Sequence, residues 1–198
     1  MKIKIYFLFI VVSFGFSQAQ IKWTLNKNEN NIKVYSRVVN GSNFKEYKAV
    51  TLIKAPMDSI VSVLVDGDNL KKWNYKTTKS ALLESTSDNE FTVYMYNDMP
   101  WPAKNRDHIS RLKLYSVNDS IVRINIKSLP NRLPIKKGVV RVVHFSGFWL
   151  LEEFKKGTRV TQHMHGDPGG LIPSFIVNTV IVDAPFYSFS KLIRLFND

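Results

Sequence analysis

Apolar and polar residues alternate along most of this chain with the period of two expected of half-buried strands. Ile32-Lys33-Val34-Tyr35-Ser36-Arg37 alternates, Gly41-Ser42 turns the chain, and residues 44–54 alternate again before becoming apolar. The polar lead before them, residues 21–31 with Trp23 and Leu25 as anchors, suits a short helix. Pro56-Met57-Asp58 opens a helix with Ile60, Val61, Val63, Leu64 and Val65 facing inward. Asp66-Gly67-Asp68 interrupts it, and a second short turn carries Leu70 and Trp73. Strands follow in series over residues 80–85, 91–96, 108–115 and 121–127, separated by polar turns such as Ser87-Asp88-Asn89 and Val117-Asn118-Asp119. Residues 139–153 read as one long strand and residues 159–165 as the last.

Asp167-Pro168-Gly169-Gly170 then breaks the sheet, and a long helix is expected from there to the C-terminus, with Pro173 in its first turn. Between Leu171 and Val182 only Pro173, Ser174, Asn178 and Thr179 interrupt the apolar residues. The pattern continues past Asp183 and Pro185 through Phe186, Phe189, Leu192, Ile193 and Phe196. A helix this apolar is buried, either packed flat on the sheet or closing a cavity as a lid. Strands in series with segregated helices define an α+β fold, a curved antiparallel sheet wrapped around a long C-terminal helix.

Alternation also sorts the faces. Arg111 and Lys113 belong in water, so His108, Ser110, Leu112 and Leu114 face in. Arg123, Asn125 and Lys127 facing out leave Val122, Ile124 and Ile126 inside. Placing Arg141 outside directs Val140, Val142 and His144 inward. Placing Arg159 outside turns Thr161, His163 and His165 outward and Val160, Gln162 and Met164 inward. His163-Met164-His165 puts two imidazoles on one strand face, but no third metal ligand lies nearby, so the pair reads as two exposed histidines.

The first residues change the picture of where the chain works. Lys2 and Lys4 precede an apolar run from Ile5 to Val12, extended by Phe14-Gly15-Phe16, and Ser17-Gln18-Ala19 offers small residues for cleavage before Gln20. Residues 1–19 are therefore expected to be a signal peptide, the alternative being an uncleaved anchor. The apolar run is shorter than the roughly 18–20 residues that span a bilayer. The 198 residues contain no cysteine, which removes disulfides, thiolate zinc sites, thiol nucleophiles and a lipid-bearing cysteine. The exported domain, residues 20–198, must then be held by burial alone. The net charge of +12 favours anionic membrane surfaces, whereas the scattered Lys/Arg doublets lack the interleaved aromatics of a nucleic-acid site.

Pro100-Trp101-Pro102-Ala103-Lys104-Asn105-Arg106-Asp107, joining two strands, resembles the signature of the StAR-related lipid-transfer (START) family. Ile32-Lys33-Val34-Tyr35, Lys45-Glu46-Tyr47-Lys48, Trp73-Asn74, Gly138-Val139-Val140-Arg141, Gly147-Phe148-Trp149 and Asp167-Pro168-Gly169-Gly170-Leu171-Ile172-Pro173 resemble family segments in the same order, so the likeness covers residues 22–196. It implies a helix-grip fold, an internal cavity, and binding or transfer of a lipid by a monomer that needs no catalytic residue, metal or cofactor. The expected lining is Val93, Met95, His108, Ser110, Leu112, Val122, Ile124, Val142, His144, Gln162 and Met164 on strands, with Ile176 and Val180 on the terminal helix. Arg106 and Asp107 are expected to pair and fix their loop, with Trp101 as a packing anchor. Some sterol-binding members carry a buried acid–arginine pair on the two strands flanking the Arg-Asp signature. Ungapped counting puts Val93 and Leu112 at those positions, which leaves an acyl lipid or isoprenoid as eligible as a sterol.

Helix-grip relatives also include cyclases and hydrolases, so an enzyme acting on an apolar substrate is the alternative. It would need a convergent acid–base set, and the sequence offers only His144 with Asp183. Transient contact with a membrane surface is expected of a carrier, and export implies the periplasm or the medium.

Overall fold

The structure, a computed structural model, describes residues 22–197, so the expected leader lies outside the described residues. In chain order the elements are β1 (Thr24–Glu29), β2 (Ile32–Arg37), β3 (Glu46–Ile53), α1 (Met57–Val65), α2 (Leu70–Trp73), β4 (Thr77–Ser87), β5 (Glu90–Asn97), β6 (Arg106–Asn118), β7 (Ile121–Ser128), β8 (Val140–Arg141), β9 (Phe145–Phe154), β10 (Gly157–Gly166), α3 (Ser174–Val180) and α4 (Asp183–Arg194). The strands form one curved sheet in the order β1-β2-β3-β10-β9-β7-β6-β5-β4, antiparallel throughout that path. The expected α+β architecture is found.

Register aligns the core into rows across the sheet. Leu114, Ile124, Trp149, Gln162, Ala49 and Val34 stand opposite one another on β6, β7, β9, β10, β3 and β2. The next row runs Phe91, Leu112, Ile126, Gly147, Met164, Tyr47 and Ser36 from β5 to β2. Directly opposed residues share a face, so these rows define the inner side. α1 brings Met57, Ile60 and Leu64 to it, and α4 brings Phe186, Phe189 and Leu192. Gly147 is required in its row: a Cβ there would lie 2.1 Å from the His163 carbonyl oxygen and 2.5 Å from Met164 Sδ.

Three elements depart from expectation. Residues 24–29 form an edge strand instead of a helix; β2 offers them a pairing partner, and Ser36 Oγ donates to Asn26 Oδ1 at 2.8 Å. The terminal helix is two helices, broken at Ile181–Val182. Pro185 explains the break, because it lacks an N–H for the Ile181 carbonyl and its ring would collide with that oxygen in a continuous helix. The long strand expected over residues 139–153 is also two pieces. β7 ends opposite Ser110, and β8 takes its lane beyond that point, pairing parallel with Arg106 and Asp107 of β6. The chain then shifts one lane over residues 142–144 to become β9.

Candidate functional site

The lane shift breaks the alternation on which the position of His144 was assigned. Arg141 lies on the outer side with Asp107, as alternation placed it, but is buried there and not in water. Its guanidinium donates to both Asp107 oxygens, at 2.7 and 3.0 Å, with the two side chains only 2% and 0% exposed. It also donates to the carbonyls of Pro130, Leu133 and Pro134, pinning residues 130–134 over the outer side of β6. The hydrogen bonds from Arg141 to Asp107 raise the arginine's pKa above its ordinary value. Val142 is buried, donating its N–H to the Asp107 carbonyl, whereas His144 is exposed. No hydrogen bond or ion pair among the described residues joins His144 to Asp183.

Arg106 does not pair with Asp107, as had been expected of these neighbours. Successive strand residues point to opposite faces, so the Arg106 side chain lies inside and meets the carbonyls of Lys104, Pro168 and Gly169. Burial lowers its pKa. The contacts tie the β5–β6 loop to the segment leading into α3. Trp101, expected as a packing anchor, is 92% exposed at that end, and Leu171 is fully exposed beside the Arg106 contacts. α3 buries none of its residues: Phe175 is 70% exposed, and Ile176 and Val180 lie near the half-exposed mark. Ile176 and Val180 are therefore not part of an enclosed lining. α3 is anchored at its polar face by Asn178, which accepts from the Lys45 N–H and donates to the Asn43 carbonyl.

The remaining expected lining residues do converge on the inner face. Val93, Leu112, Ile124 and Met164 belong to the buried core, and Met95, Val122, His108 and Gln162 are half-buried on the same side. Sequence reasoning missed Tyr47, whose hydroxyl donates to Gln162 Oε1 at 3.1 Å and whose burial pushes the phenol's pKa up. It also missed Phe91, Phe145 and Ser128, although carrying the β7 alternation one step past Ile126 reaches Ser128. α4 packs on β2, β3 and α2, with Phe189 stacked on Trp149 at 5.5 Å and Trp149 meeting Trp73 edge-on. Beneath α4 the space is thus filled. Phe91, Met95, His108, Leu114, Val122 and Phe145 all keep partial exposure while facing the concave side.

Among the described residues, four buried polar side-chain atoms have no hydrogen-bond partner: Trp73 Nε1, His108 Nε2, Ser110 Oγ and Ser128 Oγ. An unpaired buried polar group costs about 1–3 kcal/mol, and three of these four gather on β6 and β7. Burial lowers the His108 pKa to about 4, opposed by the nearby Asp107 carboxylate and aided by Arg141, so the ring is neutral near pH 7. A hollow of about 260 Å³ opens at the ends of β7, β9 and β10, bordered by Lys127, Ser128, Val143, His144, Phe145, Ser146 and His165. A second, of about 530 Å³, is a basic groove on the outer face, where Lys33, Lys155, Lys156 and Arg159 surround Leu52 and Phe154. His163, expected to be exposed, is partly buried instead. It sits between the rings of Trp23 and Phe148, with Nε2 2.6 Å from Glu46 Oε2.

A long antiparallel sheet closed on one side by a C-terminal helix, with an apolar inner face and scattered polar groups, is the architecture of helix-grip proteins. The chain belongs to the START domain family, whose model matches residues 17–189. It is 35% identical over 171 residues to the Pseudomonas aeruginosa protein PA1579, covering 86% of this chain and 84% of that one. It is 29% identical over 168 residues to mouse phosphatidylcholine transfer protein, covering 79% and 75%. Its fold matches that of a STAR-related lipid transfer protein from Xanthomonas axonopodis with a TM-score of 0.84 at 34% identity, over 89% of this chain and 99% of the other. Human STARD10 shares the fold with a TM-score of 0.77 at 22% identity, over 89% and 74%.

Proposed function

We propose that this protein is an exported, monomeric carrier that holds one hydrophobic lipid against the inner face of its sheet and exchanges it at membrane surfaces. The observation that carries the reading is the set of apolar side chains (Phe91, Met95, Leu114, Val122 and Phe145) that face the concave side yet keep partial exposure. Covering them with a ligand gains about 0.8 kcal/mol per buried methylene. Membership in a family that includes lipid transfer proteins supports the same reading. Contact with a bilayer is supported by Trp101, Leu171 and Phe175, which expose large apolar surfaces. Lys104, close to Trp101 in sequence, and the net charge of +10 that remains without Lys2 and Lys4 favour an anionic surface. Export rests on the lysine-led apolar run of the first 19 residues.

The test is transfer of a fluorescent acyl lipid from donor to acceptor vesicles, with and without the protein. Transfer should rise in proportion to protein concentration and faster between vesicles containing anionic lipid. Transfer no faster than the spontaneous rate rules the carrier reading out.

A further inference from the structure

His108 and Ser110 lie two apart on β6 and so share a side, their Cα atoms roughly 7 Å apart. Ser128 stands directly opposite Ser110 across the β6–β7 pair, where facing Cβ atoms are about 5 Å apart. The same-side neighbours across the sheet and further along it are apolar: Met95 opposite His108, Val93 opposite Ser110, and Leu112 with Ile126 one step along; Arg106 precedes His108 on that side. The Phe145 ring lies over His108, with centroids 5.3 Å apart, and Phe145 with Ser128 borders the hollow of about 260 Å³. His108 Nε2, Ser110 Oγ and Ser128 Oγ are all buried and all unpartnered. The polar atoms therefore form an island in an apolar face, at the end of β7.

We propose that His108 Nε2, Ser110 Oγ and Ser128 Oγ together hydrogen-bond the uncharged polar head of the carried lipid, a hydroxyl or an ester or amide carbonyl, and select it over an anionic head. This rests on the carrier reading above and names the ligand class for it. The choice of an uncharged head follows from where the cations are. Arg141 is committed to Asp107 and the carbonyls of Pro130, Leu133 and Pro134. Arg106 is turned along the strand toward the carbonyls of Lys104, Pro168 and Gly169. The two other nearby cations do not reach it: Arg106 is held by those carbonyls, and Lys127, at the rim of the hollow, lies on the opposite side of β7 from Ser128. An anion brought to the island therefore loses more hydration energy than a hydroxyl does. A hydroxyl both donates and accepts, and so suits serine hydroxyls and an imidazole nitrogen whose tautomer can adjust.

The test compares three C18 probes with one double bond, delivered from cyclodextrin to the purified protein: oleyl alcohol, oleate and 1-octadecene. Each hydrogen bond is worth roughly two- to tenfold in affinity. The wild-type protein is expected to bind oleyl alcohol at least tenfold tighter than either other probe. In the Ser110→Ala/Ser128→Ala variant the ratio of alcohol to octadecene affinity should fall to near one, with His108→Phe lowering it independently. Oleate binding as tightly as the alcohol, or an alcohol preference that survives the double serine variant, overturns the inference and leaves the carrier reading standing; water then fills the island. Failure of all three probes to bind overturns both.

Discussion

Replacing Asp107 by Asn removes the counter-charge of Arg141 while keeping the side chain's shape. The pair is almost wholly buried, and the carboxylate accepts two hydrogen bonds from one guanidinium. Leaving a buried charge uncompensated costs about 3–5 kcal/mol. The carbonyls of Pro130, Leu133 and Pro134 still hold the guanidinium, so the loss should fall near the lower figure. For a domain of this size each kcal/mol lowers the Tm by about 2–4 °C, so Asp107→Asn should melt roughly 6–12 °C below the wild type. Urea unfolding followed by circular dichroism should show the midpoint falling with the slope unchanged. Asp107→Leu/Arg141→Met removes both charges, and because apolar replacement of a buried pair is often neutral, it should recover at least about 2 kcal/mol of the single-variant loss. A loss below about 1 kcal/mol for Asp107→Asn, or a double variant as unstable as the sum of the singles, refutes the reasoning.

The His108 ring is neutral in the folded protein, with a pKa lowered to about 4 from the ordinary 6.5, while the unfolded chain protonates it normally. Its contribution is therefore fully present above about pH 6.5 and is lost as pH falls toward 4. The loss should reach roughly 2–3 kcal/mol, at the low side because the ring as a whole keeps some exposure. His108→Phe should flatten the stability–pH curve in that window; an unchanged acid limb would count against a neutral buried ring. Gly147→Ala forces a methyl against the His163 carbonyl and Met164 and should cost about 1–3 kcal/mol in urea unfolding, a neutral result contradicting the close approach of β9 and β10. Trp101→Ala and Phe175→Ala should leave stability within about 0.5 kcal/mol yet weaken vesicle sedimentation severalfold, and unchanged sedimentation removes that end of the molecule from the membrane-contact proposal.

The sequence made the sheet legible because alternation with fixed charges, such as Arg111, Lys113 and Arg123, orients whole strands at once. It therefore placed Val93, Leu112, Ile124 and Met164 on the inner face. Where alternation failed, a tertiary effect had intervened. Arg141 looks like a surface residue until Asp107, 34 positions earlier, is brought beside it by the parallel β8 contact. That pairing leaves Arg141 on the outer side, where alternation placed it, but buries it there beneath residues 130–134, and the lane shift after it leaves His144 exposed. Pro185 was visible as a helix breaker, but the apolar run on both sides of it outweighed that signal, so α3 and α4 were read as one buried helix. Exposure of Phe175, Ile176 and Val180 has no signature in composition, since an apolar helix awaiting a bilayer and one awaiting a core look alike.

The most direct test of the account is native mass spectrometry of the purified chain, followed by solvent extraction. The protein is predicted to carry a single bound lipid, seen as a discrete mass increment that vanishes on denaturation and is recovered in the organic phase with an uncharged polar head. Protein that is uniformly free of lipid, and stays so after incubation with vesicles, contradicts it.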